Sequence, residues 1–235
     1  ICVSSHLVPA NTGCRFPDPD LKLEPVRQPA SVPVDCVLSN SFGFGGNNAS
    51  VIIGAPDKAD CSISSAKIKP LAILGCACTT GAGTTEATMA NFSKGAACKG
   101  MLSVQAISKN LSPRTVRRLK RLPRMALSLA LAAYENANRE EKPSSVFLGT
   151  GWGAISETYD FLTGLFETDE RFPSPTDFVA SVHNAPSGQI ALKFRSTGPN
   201  ITTSGGDYSF EQALLSAHLL SRDIGESFFV MGVGE

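Results

Sequence analysis

Apolar residues along this chain fall into short runs separated by glycine, proline and small polar residues. Residues 8–33 carry Pro9, Pro17, Pro19, Pro25, Pro29 and Pro33. Proline at that density removes backbone donors and breaks helices, so an extended, irregular stretch is expected. Residues 34–39 and 49–54 then read as two strands. Between them runs the glycine-rich Asn40-Ser41-Phe42-Gly43-Phe44-Gly45-Gly46-Asn47-Asn48. That loop lacks the Lys-Ser/Thr ending of a P-loop, and no helix pattern follows it, so a long hairpin connection is predicted. Residues 55–69 are small, polar and charged without any apolar period, and read as a linker.

The pattern restarts at residues 71–78, an uninterrupted apolar run of the buried-strand type. A Thr/Gly loop over 79–85 leads to a helix over 86–94. Residues 125–138, rich in Ala and Leu, predict a buried helix, 145–150 a strand and 154–166 another helix. Residues 172–176 form a loop, and 177–188 lead into a helix over 189–194. Residues 228–233 close the pattern as an apolar strand.

Residues 201–203 are a β-branched run between Gly198-Pro199 and Gly205-Gly206, followed by helical spacing over 211–221. Adjacent glycines permit a tight strand-to-helix elbow. Such an elbow presents one side chain at a helix N-terminus, where free N–H groups and the helix dipole favour negative charge. In many acyl-transfer enzymes that side chain is a nucleophilic Ser or Cys. Here it is Asp207. A carboxylate is a poor acyl acceptor and a good N-cap, so Asp207 reads as a capping or pocket-shaping group, with a chemical role as the alternative.

Charge and composition narrow the field. The 235 residues can bury a core and carry 21 basic and 21 acidic side chains, which gives no electrostatic case for nucleic acid or an anionic membrane. No apolar run approaches the roughly 18 residues of a membrane span. The seven cysteines include no paired CxxC units, which speaks against zinc and for reduced, structural thiols in a cytoplasmic protein. The chain opens on Ile1-Cys2-Val3 without Met or a signal-peptide pattern, and is expected to be a piece of something longer.

Three further patterns bear on chemistry. Gly149-Thr150-Gly151-Trp152-Gly153-Ala154 matches the dinucleotide fingerprint, with Asp169 and Glu170 at the acidic spacing. Those acids close a helix rather than a second strand, so a ribose partner is expected to be misplaced. Arg114, Arg117, Arg118, Lys120, Arg121 and Arg124 cluster between residues 111 and 124, either as a solvated helix face or as a docking patch for an acidic carrier domain. His183, beside Asn184 and Pro186, reads as a loop-positioning hydrogen-bonder with a general base as the alternative. His6 and His218 stand apart from it in sequence.

The motif over residues 40–50 resembles the closing motif of the β-ketoacyl-acyl-carrier-protein synthases, NSFGFGGTN, with Asn47 in place of Thr. The proline-rich lead-in, with Val8-Pro9-Ala10-Asn11 and Asp18-Pro19-Asp20, resembles that family's approach to its last hairpin. Residues 1–54 thus resemble a ketosynthase C-terminal tail. Residues 70–235 resemble the N-terminal half of a divergent ketosynthase, through Ser174-Pro175-Thr176-Asp177-Phe178, residues 181–188 and Gly198-Pro199. Tail before head suggests a junction of two consecutive ketosynthase-like units, joined by the 55–69 linker, or a fragment of a fused chain.

The resemblance implies an α/β, thiolase-like half-fold of layered αβαβα type, with a mixed sheet flanked by helices. Family chemistry is a decarboxylative condensation that uses a Cys nucleophile and two His. Asp207 stands at the Cys position, and neither His is present. The resemblance therefore implies a non-catalytic, chain-length-factor-like subunit of fatty-acid or polyketide-type elongation, without a cofactor or metal. It also implies a gate at the acyl pocket from Phe42, Gly43, Phe44, Gly45 and Gly46, with His183 and Asn184 as pocket residues. Arg117, Arg118, Arg121 and Arg124 would dock an acyl carrier protein, and a ketosynthase subunit or a second copy would complete a dimer. A nucleotide-binding domain and a purely structural assembly domain are the competing readings.

Overall fold

The computed structural model describes residues 2–14, 16, 18–20, 22, 24–42, 48–55, 70–220 and 226–234. Gly43, Phe44, Gly45, Gly46, Cys61 and all of the expected linker beyond Ala55 lie outside them. The chain divides into two units, one of Ile1–Gly43 with Asn48–Lys67 and one of Phe44–Asn47 with Ile68–Glu235.

In the first unit, helix α1 (Cys2–Ser5) precedes a short antiparallel pair, β1 (Leu7–Val8) with β2 (Ala30–Ser31). His6 binds this pair to the next segment. Its carbonyl accepts from Val32 N–H at 3.0 Å, and its Nδ1 accepts from Val34 N–H at 3.2 Å. Strands β3 (Cys36–Phe42) and β4 (Asn48–Gly54) form the hairpin expected from the strand, glycine loop, strand pattern. Val37 faces Ile53 and Leu38 faces Ile52, so apolar cross-strand pairs set the register. The first strand runs on to Phe42, beyond the boundary predicted from the sequence. Opposite the Asn40–Ser50 pair, Ser50 Oγ donates to Asn40 Oδ1 at 2.7 Å, so polar residues continue the ladder that the apolar run begins.

The second unit is built on a parallel sheet. Strand β5 (Ser145–Thr150) lies between β6 (Asn200–Ser204) and β7 (Phe228–Gly232), both parallel to it. All six residues of β5 are buried. A strand covered on both faces reads as a continuous apolar run, as this one does. Its side chains alternate between two cores. Val146 and Leu148 pack with α4 (Arg121–Ala137) and α7 (Ala185–Phe194), through Leu122, Ala126, Leu127, Ile190 and Phe194. Phe147 points the other way, onto Ala213 and Ala217 of α8 (Ser209–Leu220). Edge-on ring contacts of Phe194 with Tyr134 (5.1 Å) and Phe229 (4.9 Å) tie α4, α7 and β7 together. Among the described residues the three strands of this unit's sheet are parallel, and the antiparallel ladders belong to the first unit.

The remaining helices are α2 (Thr85–Ser93), α3 (Pro113–Arg118), α5 (Ile155–Glu167) and α6 (Pro175–Ser181). Ser112 and Ser174 cap α3 and α6, each accepting the N–H three residues on at 3.2 Å, with proline in the first turn.

One prediction fails outright. Residues 71–78 form no strand, and Ile73 is 87% exposed. A strand needs ladder partners, and none pairs with this run among the described residues. The run lies instead along α4. Gly75 sits against the backbone of Ala133 and Ala137, and Cys76 N–H donates to Asn136 Oδ1 at 2.9 Å.

Candidate functional site

The site is built from two turns at the carboxyl ends of neighbouring parallel strands, where open α/β sheets bind ligands. After β6 the chain passes through Gly205 and a 3-10 turn, Gly206–Tyr208, directly into α8. Gly206 has φ +67°, a backbone state that glycine adopts without strain. Ser209 locks the elbow from inside. Its Oγ accepts from Gly205 N–H at 2.9 Å and donates to the Gly206 carbonyl at 2.7 Å, while Thr203 Oγ1 donates to the Ser209 carbonyl at 2.8 Å.

Asp207 is exposed on this turn. Among the described residues its carboxylate has no hydrogen-bond or ion-pair partner, so it is not the helix cap expected from the sequence. The 3-10 turn places it two residues ahead of α8, and the buried Ser209 hydroxyl holds the bend. That leaves a solvent-facing carboxylate at the elbow, without a structural bond among the described residues.

The second turn follows β5. Thr150 Oγ1 accepts from Gly153 N–H at 3.2 Å, and Gly206 N–H donates to the Gly151 carbonyl at 3.3 Å, so this turn and the elbow are joined through backbone. A Cβ on Gly149 would run into the Ser209 carbonyl and the Phe210 nitrogen. Gly153, at φ +70°, has the His183 ring where a side chain would stand. His183 is exposed at the α6–α7 connection, and Asn184, buried, occupies the position before α7. The Asn184 carbonyl accepts from Ser187 Oγ at 2.9 Å, and that hydroxyl also pairs with Thr202 Oγ1 of β6 at 2.9 Å. The structure therefore gathers the Gly151–Gly153 turn, His183 and the elbow bearing Asp207.

The dinucleotide reading does not survive this geometry. The fingerprint glycines make room for α8 and His183, not for a pyrophosphate. Asp169 and Glu170 lie in the left-handed turn that ends α5 (φ +47° and +58°), with α6 and α7 still to come before the second strand. Neither acid at the fingerprint's spacing therefore stands at the end of that strand.

The basic cluster divides into two sets. Arg124 Nη2 donates to the Val116 and Leu119 carbonyls, both at 2.7 Å, and Arg121 Nη2 to Leu102 at 3.4 Å. Lys120 pairs with Asp177 at 2.9 Å. That bond raises the Lys120 pKa against a smaller opposing effect of burial. The same bond, then one from Ser174, lowers the Asp177 pKa. Arg114, Arg117 and Arg118 remain exposed on α3, with no partner among the described residues.

Sequence reasoning missed Glu157. It lies in α5, 2% exposed, and its Oε1 accepts from Leu122 N–H at 3.0 Å, capping α4 from a neighbouring helix. Nothing local marks it, because the cap and the capped helix are far apart in sequence. Phe42 ends β3 as a 76% exposed ring. Among the described residues no group of three or more His, Cys, Asp or Glu side chains is arranged to hold a metal ion, and no helix is long and apolar enough to cross a membrane.

A sequence profile described as β-ketoacyl synthase, N-terminal domain, matches residues 96–231, more than half of the chain. The chain belongs to the β-ketoacyl synthase family. Its fold is the thiolase-like α/β fold of that family, as the motif resemblance implied.

No curated protein is similar enough in sequence to match this family member. Among solved structures, the ishigamide ketosynthase/chain length factor is 21% identical, with a TM-score of 0.53 over 63% of this chain and 48% of that one. The ketosynthase (ApeO) in complex with its chain length factor (ApeC) from Xenorhabdus doucetiae is 22% identical, with a TM-score of 0.50 over 65% of this chain and 60% of that one. The PfaC keto synthase–chain length factor is 16% identical, with a TM-score of 0.62 over 94% of this chain and 31% of that one. At such identities the likeness is one of fold. The chain spans less than two thirds of the length of each of these relatives.

Proposed function

We propose that this chain is a non-catalytic, chain-length-factor-like partner in fatty-acid or polyketide-type chain elongation. The observation that carries the reading is Asp207. An exposed carboxylate, without a structural bond among the described residues, stands on the strand-to-helix elbow where the family resemblance puts the acyl-accepting Cys. A carboxylate there forms no acyl thioester, so the chain's part is to shape the acyl site and leave the condensation to a ketosynthase partner. The names of the relatives support this, since all three join a ketosynthase to a chain length factor.

The rest of the assignment follows from that role. Residues 1–54 are the tail of a preceding ketosynthase unit, 55–69 the linker, and 70–235 the opening half of the factor. Phe42 with Gly43, Phe44, Gly45 and Gly46 forms the acyl gate of the preceding unit. His183 and Asn184 line the pocket beside Asp207. Of the arginines named from sequence, Arg117 and Arg118 are available to an acidic acyl carrier protein, joined by Arg114. Arg121 and Arg124 are engaged with backbone carbonyls instead. The free cysteines Cys2, Cys14, Cys36, Cys76, Cys78 and Cys98 fit a reducing, cytoplasmic setting.

The test mixes the chain with a partner ketosynthase and acyl-loaded carrier protein, and reads product chain length and rate. A change in either on adding the chain is expected, weakened by Arg117→Ala with Arg118→Ala. Product unchanged in length and rate, or an acyl thioester trapped on this chain, overturns the proposal.

A further inference from the structure

Three thiols outside the elbow, Cys76, Cys78 and Cys98, take no part in shaping the acyl site. Cys78 is gripped at both backbone groups by one hydroxyl. Its N–H donates to Thr85 Oγ1 and its carbonyl accepts from the same oxygen, each at 3.0 Å. Cys98 Sγ lies 3.8 Å from the Thr88 carbonyl. Thr85 and Thr88 are three residues apart on α2, within a single turn of the helix. One turn of α2 therefore anchors both cysteines.

The two segments also meet in backbone close by. A Cβ on Gly81 would strike Lys99 and Gly100, and one on Gly100 would stand 3.0 Å from the Gly81 carbonyl oxygen. Both thiols are free and half-buried. Burial, then the charge of Cys98, then that of Cys76, raise the Cys78 pKa. Cys76 is exposed and only two residues from Cys78, a spacing that suits a bridge to Cys78 poorly.

We propose that Cys78 and Cys98 are a reversible dithiol–disulfide site that clamps residues 78–98, with α2 inside the loop. A small disulfide such as oxidised glutathione is the oxidant. The Cys98 thiolate attacks one glutathione sulfur and a glutathione thiolate leaves. The Cys78 thiolate then attacks the Cys98 sulfur of the mixed disulfide and expels the second glutathione thiolate. Two electrons pass from the protein thiols to glutathione, and the two protons they lose are taken up by the departing thiolates. The bridge closes a loop and so restricts the unfolded chain.

The experiment equilibrates the full chain in glutathione buffers of graded oxidised-to-reduced ratio, alkylates free thiols and maps the peptides by mass spectrometry. A peptide joining Cys78 to Cys98 is expected, lost on reduction, absent from Cys78→Ser and Cys98→Ser, and retained in Cys76→Ser. The oxidised chain is also expected to unfold at higher urea than the reduced one. Both thiols alkylated at every ratio, or a link that pairs either with Cys76 or another cysteine instead, overturns the proposal. Should a serine variant fail to fold, the map of the unaltered chain decides alone.

Discussion

Residues 145–150 and residues 71–78 carry much the same kind of side chain, and the fold treats them in opposite ways. Both are short apolar runs, each with a single glycine. The first is the central strand of a parallel sheet, flanked by β6 and β7 and covered by α4 and α7 on one face and α8 on the other. The second has no ladder among the described residues and rests on α4 through Gly75 and the Cys76–Asn136 bond. An apolar run states a preference for burial. It becomes a strand only where other segments supply the donors and acceptors that a buried backbone requires. That supply comes from the rest of the chain, which is why the two runs look alike when read one at a time.

The sharpest way to break this contrast is to truncate one large side chain in each run. Phe147→Ala removes a fully buried ring from between β5 and α8 and is expected to destabilise the chain by about 3–5 kcal/mol. Ile73→Ala removes a side chain that is already in water and is expected to change stability by less than about 0.5 kcal/mol. Urea unfolding of the two variants beside the parent measures both. Equal losses would mean that residues 71–78 are buried as a strand in solution, and the distinction between the runs would fall.

Legibility in the sequence follows the same line. The hairpin of β3 and β4, the strands β5 and β7 and the amphipathic α4 were all open to pattern reading, because each carries its own period or turn signal. Helix α7 begins at Ala185, four residues before the predicted start, with Pro186 in its first turn, where proline is tolerated. At the site, the glycine elbow was legible and its support was not. Asp207 has the composition of a cap, but Ser209 holds the bend, and only three-dimensional closure shows which of two nearby polar residues faces inward. The arginines present the same difficulty. Arg124 looks like Arg117 in sequence, yet the carbonyls of Val116 and Leu119 turn it inward.

Polar groups extend the comparison at a smaller scale. Glu157 is as buried as β5 and owes its place to a partner supplied from elsewhere, the Leu122 N–H at the start of α4. Lys120 caps nothing with its own side chain, so the carboxylate from α5 satisfies a donor that the helix leaves open. Glu157→Ala leaves that N–H buried without an acceptor and is expected to cost about 1–2 kcal/mol, with fraying confined to the first turn of α4. Amide hydrogen exchange locates the effect. Uniform loss of protection along α4 and β5 would show Glu157 acting as core filling, in the manner of Phe147, and not as a cap.

The Lys120–Asp177 pair is the exposed counterpart of Glu157, and its effect is expected to be the smallest. Both side chains keep a third or more of their surface in solvent, so screening limits the pair to less than about 1 kcal/mol. The sign of its pH dependence follows from the two shifts. Asp177 is held below the usual aspartate value, so its contribution is complete above that value and is lost as acid protonates it. Lys120 is held above the usual lysine value, so its contribution is complete below that value and is lost as base neutralises it. Between those limits the pair is pH-independent. Asp177→Asn should therefore lower the urea midpoint slightly at neutral pH, and the parent and variant should converge as the pH falls through the aspartate range. Added salt should narrow the gap at neutral pH in the same way. A gap that persists in acid, or that ignores salt, would place Asp177 among the residues held by packing, on the β5 side of the comparison.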